Sequence, residues 1–588
     1  MSDLKPAVLL ATLLMLFFSV NAYVTTIHAP AVIEGQNAGT LTQFTLNLTP
    51  GNGVVQIKGP AVVDQNTLAS AQTAAAYAAS FLGLQEKNYN FNYTISDSSL
   101  NVSGPSGGLA FTLLAIAGLE HRQLAQNFTV TGTISPNGTV GLIGGIIDKS
   151  NAARGGGMRF ILVPYTSNGT IESLLYYISQ QINNIPVVEV ANVSQALPYA
   201  FGEKSPVPLT INMTQTFNLG AIGNANVSCT GCNISAFGQL ANYTFNVTMS
   251  EVNSLPSNFS SAKQQFAANL NNYKGLEADG FLYTSADFEF LNFINAFTLA
   301  NYRNYTVANA TNLLDNISSY CDSLVMPPLT TQNYEFAIGG RIRQYWANIT
   351  LANADQQLAS EQTTDGIIES VYTAASALGW CKASSELYSL ASSMGGSYVD
   401  VSPSLRSAAA AAVNKAQSLG SGLYVDTAVR AYNDGDYPVA LYAAAYANAF
   451  EKPTPNYSTS QLYSKTLSNI ANSTNGTWPS QFAIQSEFYF RQSLLSNGTN
   501  RTSYADQAYT TSLLASMLAG ADAQINSSFM ISSQPAAVSQ QLTDQISSIE
   551  QSVSQIYVLL LVNAVLLFVV LVVLLAHILP SKRRSRHR

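Results

Sequence analysis

Residues 101–164 read NVSGPSGGLAFTLLAIAGLEHRQLAQNFTVTGTISPNGTVGLIGGIIDKSNAARGGGMRFILVP, and the rest of the chain is best read outward from them. Ser106 stands in Gly104-Pro105-Ser106-Gly107-Gly108, directly ahead of an apolar run from Leu109 to Leu119 that reads as a helix. A hydroxyl at a helix N-terminus meets free backbone N–H groups and the positive end of the helix dipole, and both favour a developing oxyanion. The glycines let a substrate backbone come close. Gly144-Gly145 make a turn, after which Lys149 opens a second helix, Lys149 to Ala153. A lysine can serve a serine as base where burial keeps its amine neutral. Taken singly, each signal has a plainer reading: serine beside glycine is a turn or an N-cap, and lysine on a helix is a solvated charge.

Read together, the pieces are specific. SGPSGG around Ser106, VTGTISPNGTV (Val130–Val140) and IGGIIDKSNAARGGGMRFILVP (Ile143–Pro164) resemble the proteolytic domain of the Lon proteases, a Ser-Lys peptidase family. The order fits, and so does the separation of 43 positions between Ser106 and Lys149. The resemblance runs back to GVVQIKGPAVVDQNTLASAQTAAAYAASFLGL from Gly53 and on through Val188-Glu189-Val190 and Val193–Phe201, covering roughly residues 35–202. It implies Ser106 as nucleophile, Lys149 as general base and Thr131 as the hydroxyl that holds the lysine amine. Backbone around Gly104, Pro105 and Gly107 would form the oxyanion hole. Two positions depart from the family's common pattern: Ser103 where an acid often stands, and Thr133 where a glutamate usually follows Thr-Gly. Neither is the nucleophile or the base, so the dyad survives, and what the two departures bear on is how the lysine pKa is set and how the site is held in its active form.

Composition bounds the rest. The chain has 588 residues, enough for several domains, and only 10% are charged, against an ordinary value of about 25%. Net charge is −7, and five of the positive charges lie in the tail after Pro580. With no basic face elsewhere, nucleic acid is excluded as a partner. Lys5 followed by an apolar run from Ala7 to Val20 and then Val20-Asn21-Ala22 reads as a signal peptide over residues 1–22, with an uncleaved anchor as the alternative. Ile556 to Leu579 is apolar apart from Asn563 and His577, long enough to span a bilayer, with a basic cytoplasmic tail at 580–588. The expected location is therefore the cell membrane, with one C-terminal span and the bulk of the chain extracellular. About two dozen Asn-x-Ser/Thr sites, among them Asn47, Asn127, Asn226 and Asn526, agree with a glycosylated surface. Cys321 and Cys381 are expected to tie two helices; Cys229 and Cys232 read as a loop staple rather than a redox pair. No metal site is expected, because the histidines outside the membrane and tail, His28 and His121, are not spaced near the cysteines.

In order, the pattern predicts an α+β domain over 24–202, with strands in 24–57, an Ala-rich helix over 62–84 and a strand over 88–102. Ser205-Pro206-Val207-Pro208 reads as a linker. Residues 208–256, with alternation as in Tyr243-Thr-Phe-Asn-Val-Thr, predict a small β module. Residues 259–530 read as helical, either an irregular bundle or a repeat-like array. Ala431–Tyr446 is similar to a tetratricopeptide-type hairpin. An a/d-like seam from Val538 to Ile556 predicts a stalk helix over 536–555 and self-association into a homo-oligomer.

The function these features predict is a membrane-anchored, extracytoplasmic serine endopeptidase. Its substrates would be unfolded, extended or membrane-adjacent proteins. It would need no ATP and no cofactor: no lysine follows a glycine, so no phosphate-binding P-loop exists, and there is no room before residue 53 for an ATPase module. The alternative is a non-catalytic envelope scaffold or interaction protein that reuses a Lon-like fold.

Overall fold

The structure is a computed structural model and describes residues 22–531, except 34–36, 60–61, 97–100, 103, 168, 211–216, 218, 228–233, 302–304, 402 and 474–475. The expected signal up to residue 21, the stalk, the membrane span, the tail, Cys229 and Cys232 all lie outside the described residues. Among the described residues no helix is long and apolar enough to cross a membrane.

The first region is α+β. Seven strands form one mixed sheet: β1 (Tyr23–Val32), β2 (Gly39–Pro50), β3 (Val55–Lys58), β4 (Tyr89–Ile95), β5 (Phe128–Val130), β6 (Phe160–Pro164) and β7 (Val187–Val190), in spatial order β7-β6-β5-β1-β2-β4-β3. Pairing of β1 with β2 and of β2 with β4 is antiparallel; β5, β6 and β7 run parallel to β1. Strand β2 alternates as its sequence does, with Phe44, Leu46 and Leu48 turned into the core. Across the sheet lies α2 (Gly108–Leu119), all twelve residues of which are buried. It packs between β1 and β2 on one side and α1 (Gln65–Phe81) on the other, where Ala71, Ala74, Ala75 and Ala78 allow close approach. Helices α3 (Ile146–Gly155), α4 (Ile171–Asn183) and α5 (Val193–Ala200) complete the region. Lys149 therefore stands in the first turns of its helix, which begins three residues earlier than the sequence suggested.

The β module expected at 208–256 is not seen among the described residues of that stretch. The described part holds a single helical turn, Leu219–Ile222, and α6 (Ile234–Ser254). The alternation of Tyr243–Thr248 lies within this helix. Its buried residues, Ala236, Phe237, Leu240, Ala241, Thr248 and Val252, fall on one helical face against α8, and that burial outweighs the β preference of Thr, Val and Tyr.

Beyond it the chain is helical: α7 (Ser260–Ala278), α8 (Leu282–Ala300), α9 (Val307–Asp322), α10 (Tyr334–Ser360), α11 (Thr364–Ser393), α12 (Pro403–Gln417), α13 (Leu423–Asn433), α14 (Tyr437–Tyr446), α15 (Thr459–Ala471), α16 (Thr477–Leu495) and α17 (Gly498–Ser528). The tetratricopeptide-like stretch is the α13–α14 hairpin. Cys321 of α9 and Cys381 of α11 are joined by a disulfide, as the sequence suggested, with Cα atoms 5.4 Å apart.

The two regions share a core. Ile146, Ile147, Ile161, Val163, Leu174 and Ile178 of the sheet region pack in one cluster with Phe217, Phe259, Phe266, Ile368 and Phe488 of the helical region. The joining segment is tied down too: the Gln180 side chain donates to the Leu209 carbonyl at 2.7 Å and accepts from the Leu209 and Val187 N–H groups.

Candidate active site

The segment bearing Ser106 is held from below by α1. Asp64 caps that helix, accepting from Thr67 N–H at 2.7 Å and from the Thr67 hydroxyl, and its other oxygen accepts from Gly104 N–H at 3.2 Å. These bonds, chiefly the one from the Thr67 hydroxyl, hold the Asp64 carboxyl below its ordinary value. The Thr67 hydroxyl also reaches the Gly104 carbonyl, and the Ser70 hydroxyl reaches the Pro105 carbonyl. Gly104 has φ +96°, so its lack of a side chain is needed for the turn. Ser106 follows in a short 3-10 turn, Pro105–Gly107, that runs straight into α2. Gly108 permits the joint: a Cβ there would lie 2.7 Å from Ser70 Oγ and 2.8 Å from Ile134.

On the other side, the segment after β5 is bonded to the Ser106 loop. Gly132 N–H donates to the Ser106 carbonyl at 2.8 Å, and Leu109 N–H donates to the Gly132 carbonyl at 3.0 Å. The Thr131 hydroxyl, buried, donates to the Ser106 carbonyl at 3.4 Å. This differs from the role the resemblance implied: Thr131 steadies the serine backbone, and its hydroxyl makes no hydrogen bond to Lys149. The oxyanion expectation also narrows. Proline has no N–H, and the Gly104 N–H is taken by Asp64, so of Gly104, Pro105 and Gly107 only Gly107 can supply a donor.

Lys149 is 4% exposed. Its helix packs on β1, β2 and β6, and Gly145 at the turn (φ +71°) brings the backbone against Val32, which a Cβ would approach to 2.4 Å. Burial lowers the amine to about 8, while the Asp365 carboxylate pulls it back up. Near pH 7 about one amine in ten is therefore neutral. Ser106 Oγ and Lys149 Nζ share no hydrogen bond; catalytic bonds are often slack in an unliganded site and tighten with substrate. The neighbour, Asp148, is also buried. Its Oδ1 accepts from the Thr364 hydroxyl, and burial raises its carboxyl.

Sequence reasoning missed Asp365. It lies 219 positions from Ile146, on α11, and nothing in its local sequence marks it. An aromatic-lined cavity of about 410 Å³, among Tyr283, Trp346, Trp380 and Tyr446, lies within the helical region and includes no residue of the sheet region. No group of three His, Cys, Asp or Glu side chains placed to hold a metal occurs among the described residues.

Residues 34–199 match the family model of the Lon protease (S16) C-terminal proteolytic domain. The chain is 25% identical over 182 residues to the Lon protease of Neorickettsia sennetsu, 30% of this chain and 22% of that one. It is 27% identical over 179 residues to Lon protease 2 of Herpetosiphon aurantiacus, 29% of this chain and 21% of that one. To the archaeal Lon protease of Methanocaldococcus jannaschii it is 26% identical over 184 residues, 30% of this chain and 27% of that one. The chain thus matches about a quarter or less of the length of these relatives. These matches support a Lon-type (S16) proteolytic domain over residues 34–199, with the helical region of the chain lying outside the match.

Proposed function

We propose that this protein is an endopeptidase in which Ser106 attacks the scissile carbonyl and Lys149 takes its proton, then returns it to the leaving amine. An acyl-enzyme on Ser106 is the intermediate, and water releases it by the same base. The single observation that carries this reading is the burial of Lys149, which leaves its amine close enough to neutrality to act as a base at ordinary pH. Gly107 N–H, at the helix N-terminus, faces the developing oxyanion.

The working setting we propose is the outer side of a membrane, anchored by residues 556–579, without ATP. Support comes from the apolar 556–579 run, the missing P-loop, the disulfide and the exposure of Asn47, Asn127, Asn226 and Asn526 as glycan acceptors. Substrates would be extended or unfolded chains near the membrane, and self-association would run through 536–555.

The test is hydrolysis of casein and of fluorogenic peptides by full-length protein, with Ser106→Ala and Lys149→Ala beside it. Each substitution is expected to lower kcat/KM by about a thousandfold or more, and added ATP to leave the rate unchanged. Activity that survives both substitutions removes the assignment; a large ATP stimulation removes the ATP-independent part.

A further inference from the structure

The helix that carries Lys149 begins with a defect. Its N-cap is Gly145, which has no side chain to accept from the first free amides. Those amides are not left bare. Asp365, in the first turn of α11, accepts from Ile146 N–H with Oδ2 at 2.8 Å and from Ile147 N–H with Oδ1 at 3.1 Å. Next to it, the Thr364 hydroxyl donates to Asp148 Oδ1 at 3.0 Å. Asp365 is itself 4% exposed, and Thr363 caps its helix through the Gly366 N–H. From behind, Asn183 of α4 donates to the Ile147 carbonyl at 2.9 Å and to Ser150 Oγ at 2.6 Å. The lysine helix is thus gripped at its back by its own domain and at its tip by the helical region.

We propose that Asp365 is a positioning residue of the peptidase site: the helical region, through this carboxylate, closes the first turn of the Lys149 helix and fixes where the amine stands relative to Ser106. The inference rests on the Ser106–Lys149 reading given above. A carboxylate at the positive end of a helix is favourable, and two backbone bonds make it directional. Burial raises Asp365 to about 6, against the pull of the two N–H groups, so it is mostly ionised near pH 7. The groups that face this corner are Asp148 and Lys149 of α3, Glu172 and Tyr176 of α4, Glu369 on the next turn of α11, and Glu361 just before it. Asp365 does two opposed things to the base. It holds the amine in place, and its charge favours the protonated form.

Those two effects separate in experiment. Full-length Asp365→Asn keeps the size and loses the charge and one acceptor. It is expected to lower kcat about tenfold or more with KM within about twofold, while the rising limb of kcat against pH moves down by about half a pH unit or more. Asp365→Glu should recover part of the lost kcat. A second readout needs no turnover: competitive acetylation of Lys149 by acetic anhydride across pH, followed by mass spectrometry in a Ser106→Ala background. Its midpoint should be near 8 and fall on adding Asp365→Asn. Should Asp365→Asn fold poorly, Thr364→Val removes only the hydroxyl on Asp148 and is expected to lower kcat about threefold at unchanged KM. Wild-type kcat and an unmoved acetylation midpoint in Asp365→Asn, or wild-type kcat in Thr364→Val, overturn the proposal. Wild-type protein without activity, or Ser106→Ala with it, defeats the peptidase reading instead, and the acetylation midpoint still reports on Asp365.

Discussion

The sheet region and the helical region hide charge in opposite ways. Among the described residues of 22–202 the buried charged side chains are Asp148 and Lys149, adjacent on one helix, and the other buried polar side chains there are Thr, Ser and Gln180. The helical region buries Glu289, Glu335, Arg343, Asp365, Glu487 and Asp522, spread over α8, α10, α11, α16 and α17. Most of these are satisfied. Glu335 accepts from the N–H and hydroxyl of Thr477, and Glu487 accepts from the N–H groups of Asn226 and Val227 and from Arg491. In the first region hidden ionisable groups mark the candidate site; in the second, hidden ionisable groups specify how helices meet.

The sharpest way to break that contrast is to remove one charge from each region. Lys149→Met deletes a buried amine whose burial outweighs the pull of the Asp365 carboxylate. It should cost about a thousandfold or more in kcat/KM and yet raise stability by about 1 kcal/mol, measured by urea unfolding. Glu335→Ala should do the reverse, losing about 3 kcal/mol because Thr477 is left with an unpaired buried N–H and hydroxyl. If both variants are destabilised alike, the two regions do not differ in kind. The shared core gives the next test. Phe488, fully buried against Phe217, Phe281 and Phe288, should cost about 3–5 kcal/mol as Phe488→Ala. Sheet and helices should then still unfold in one transition by near- and far-UV circular dichroism. Two separated transitions would make the regions independent.

Much of the sheet region was legible in advance because its signals are local. Alternation in β2, the apolar run of α2 and the Gly-Gly turn before Lys149 each fix an element by themselves. The error at 208–256 came from the same kind of signal. Tyr-Thr-Phe-Asn-Val-Thr alternates, but α6 sits against α8, and that contact is invisible in the segment. The backbone expected to form an oxyanion hole was half legible: Gly107 could be read, but that Asp64 consumes the Gly104 N–H depends on a residue 40 positions earlier. Asp365 could not be read at all, since its meaning lies entirely in what it touches.

The contrast has a pH signature. Burial pushes Asp365 to about 6, Glu369 to about 7, and Glu289 and Asp522 to about 9. Between the ordinary carboxylate range and about pH 9 the folded chain therefore holds more protons than the unfolded one, and stability must fall as pH rises. The contribution is complete below about pH 4 and is lost through pH 6 to 9. Lys149 acts with the opposite sign, adding stability between about 8 and its ordinary value, but it is a single group. The melting temperature is expected to drop by about 5 °C or more from pH 5 to pH 9. A rise over that span would contradict the burial of these carboxylates. Smallest of all, peptidase rate should climb over the same interval with a midpoint near 8, so the protein is most active where it is less stable.

The reach from Asp365 back to Ile146 also bears on how the molecule is made. A ribosome delivers sheet, serine and lysine well before it delivers α11, and chains fold from the N-terminus as they emerge. Until that later helix arrives, the tip of the lysine helix has nothing to close it. A half-made chain therefore lacks the contact that closes this helix, and the corner around Lys149 is complete only once α11 has been made.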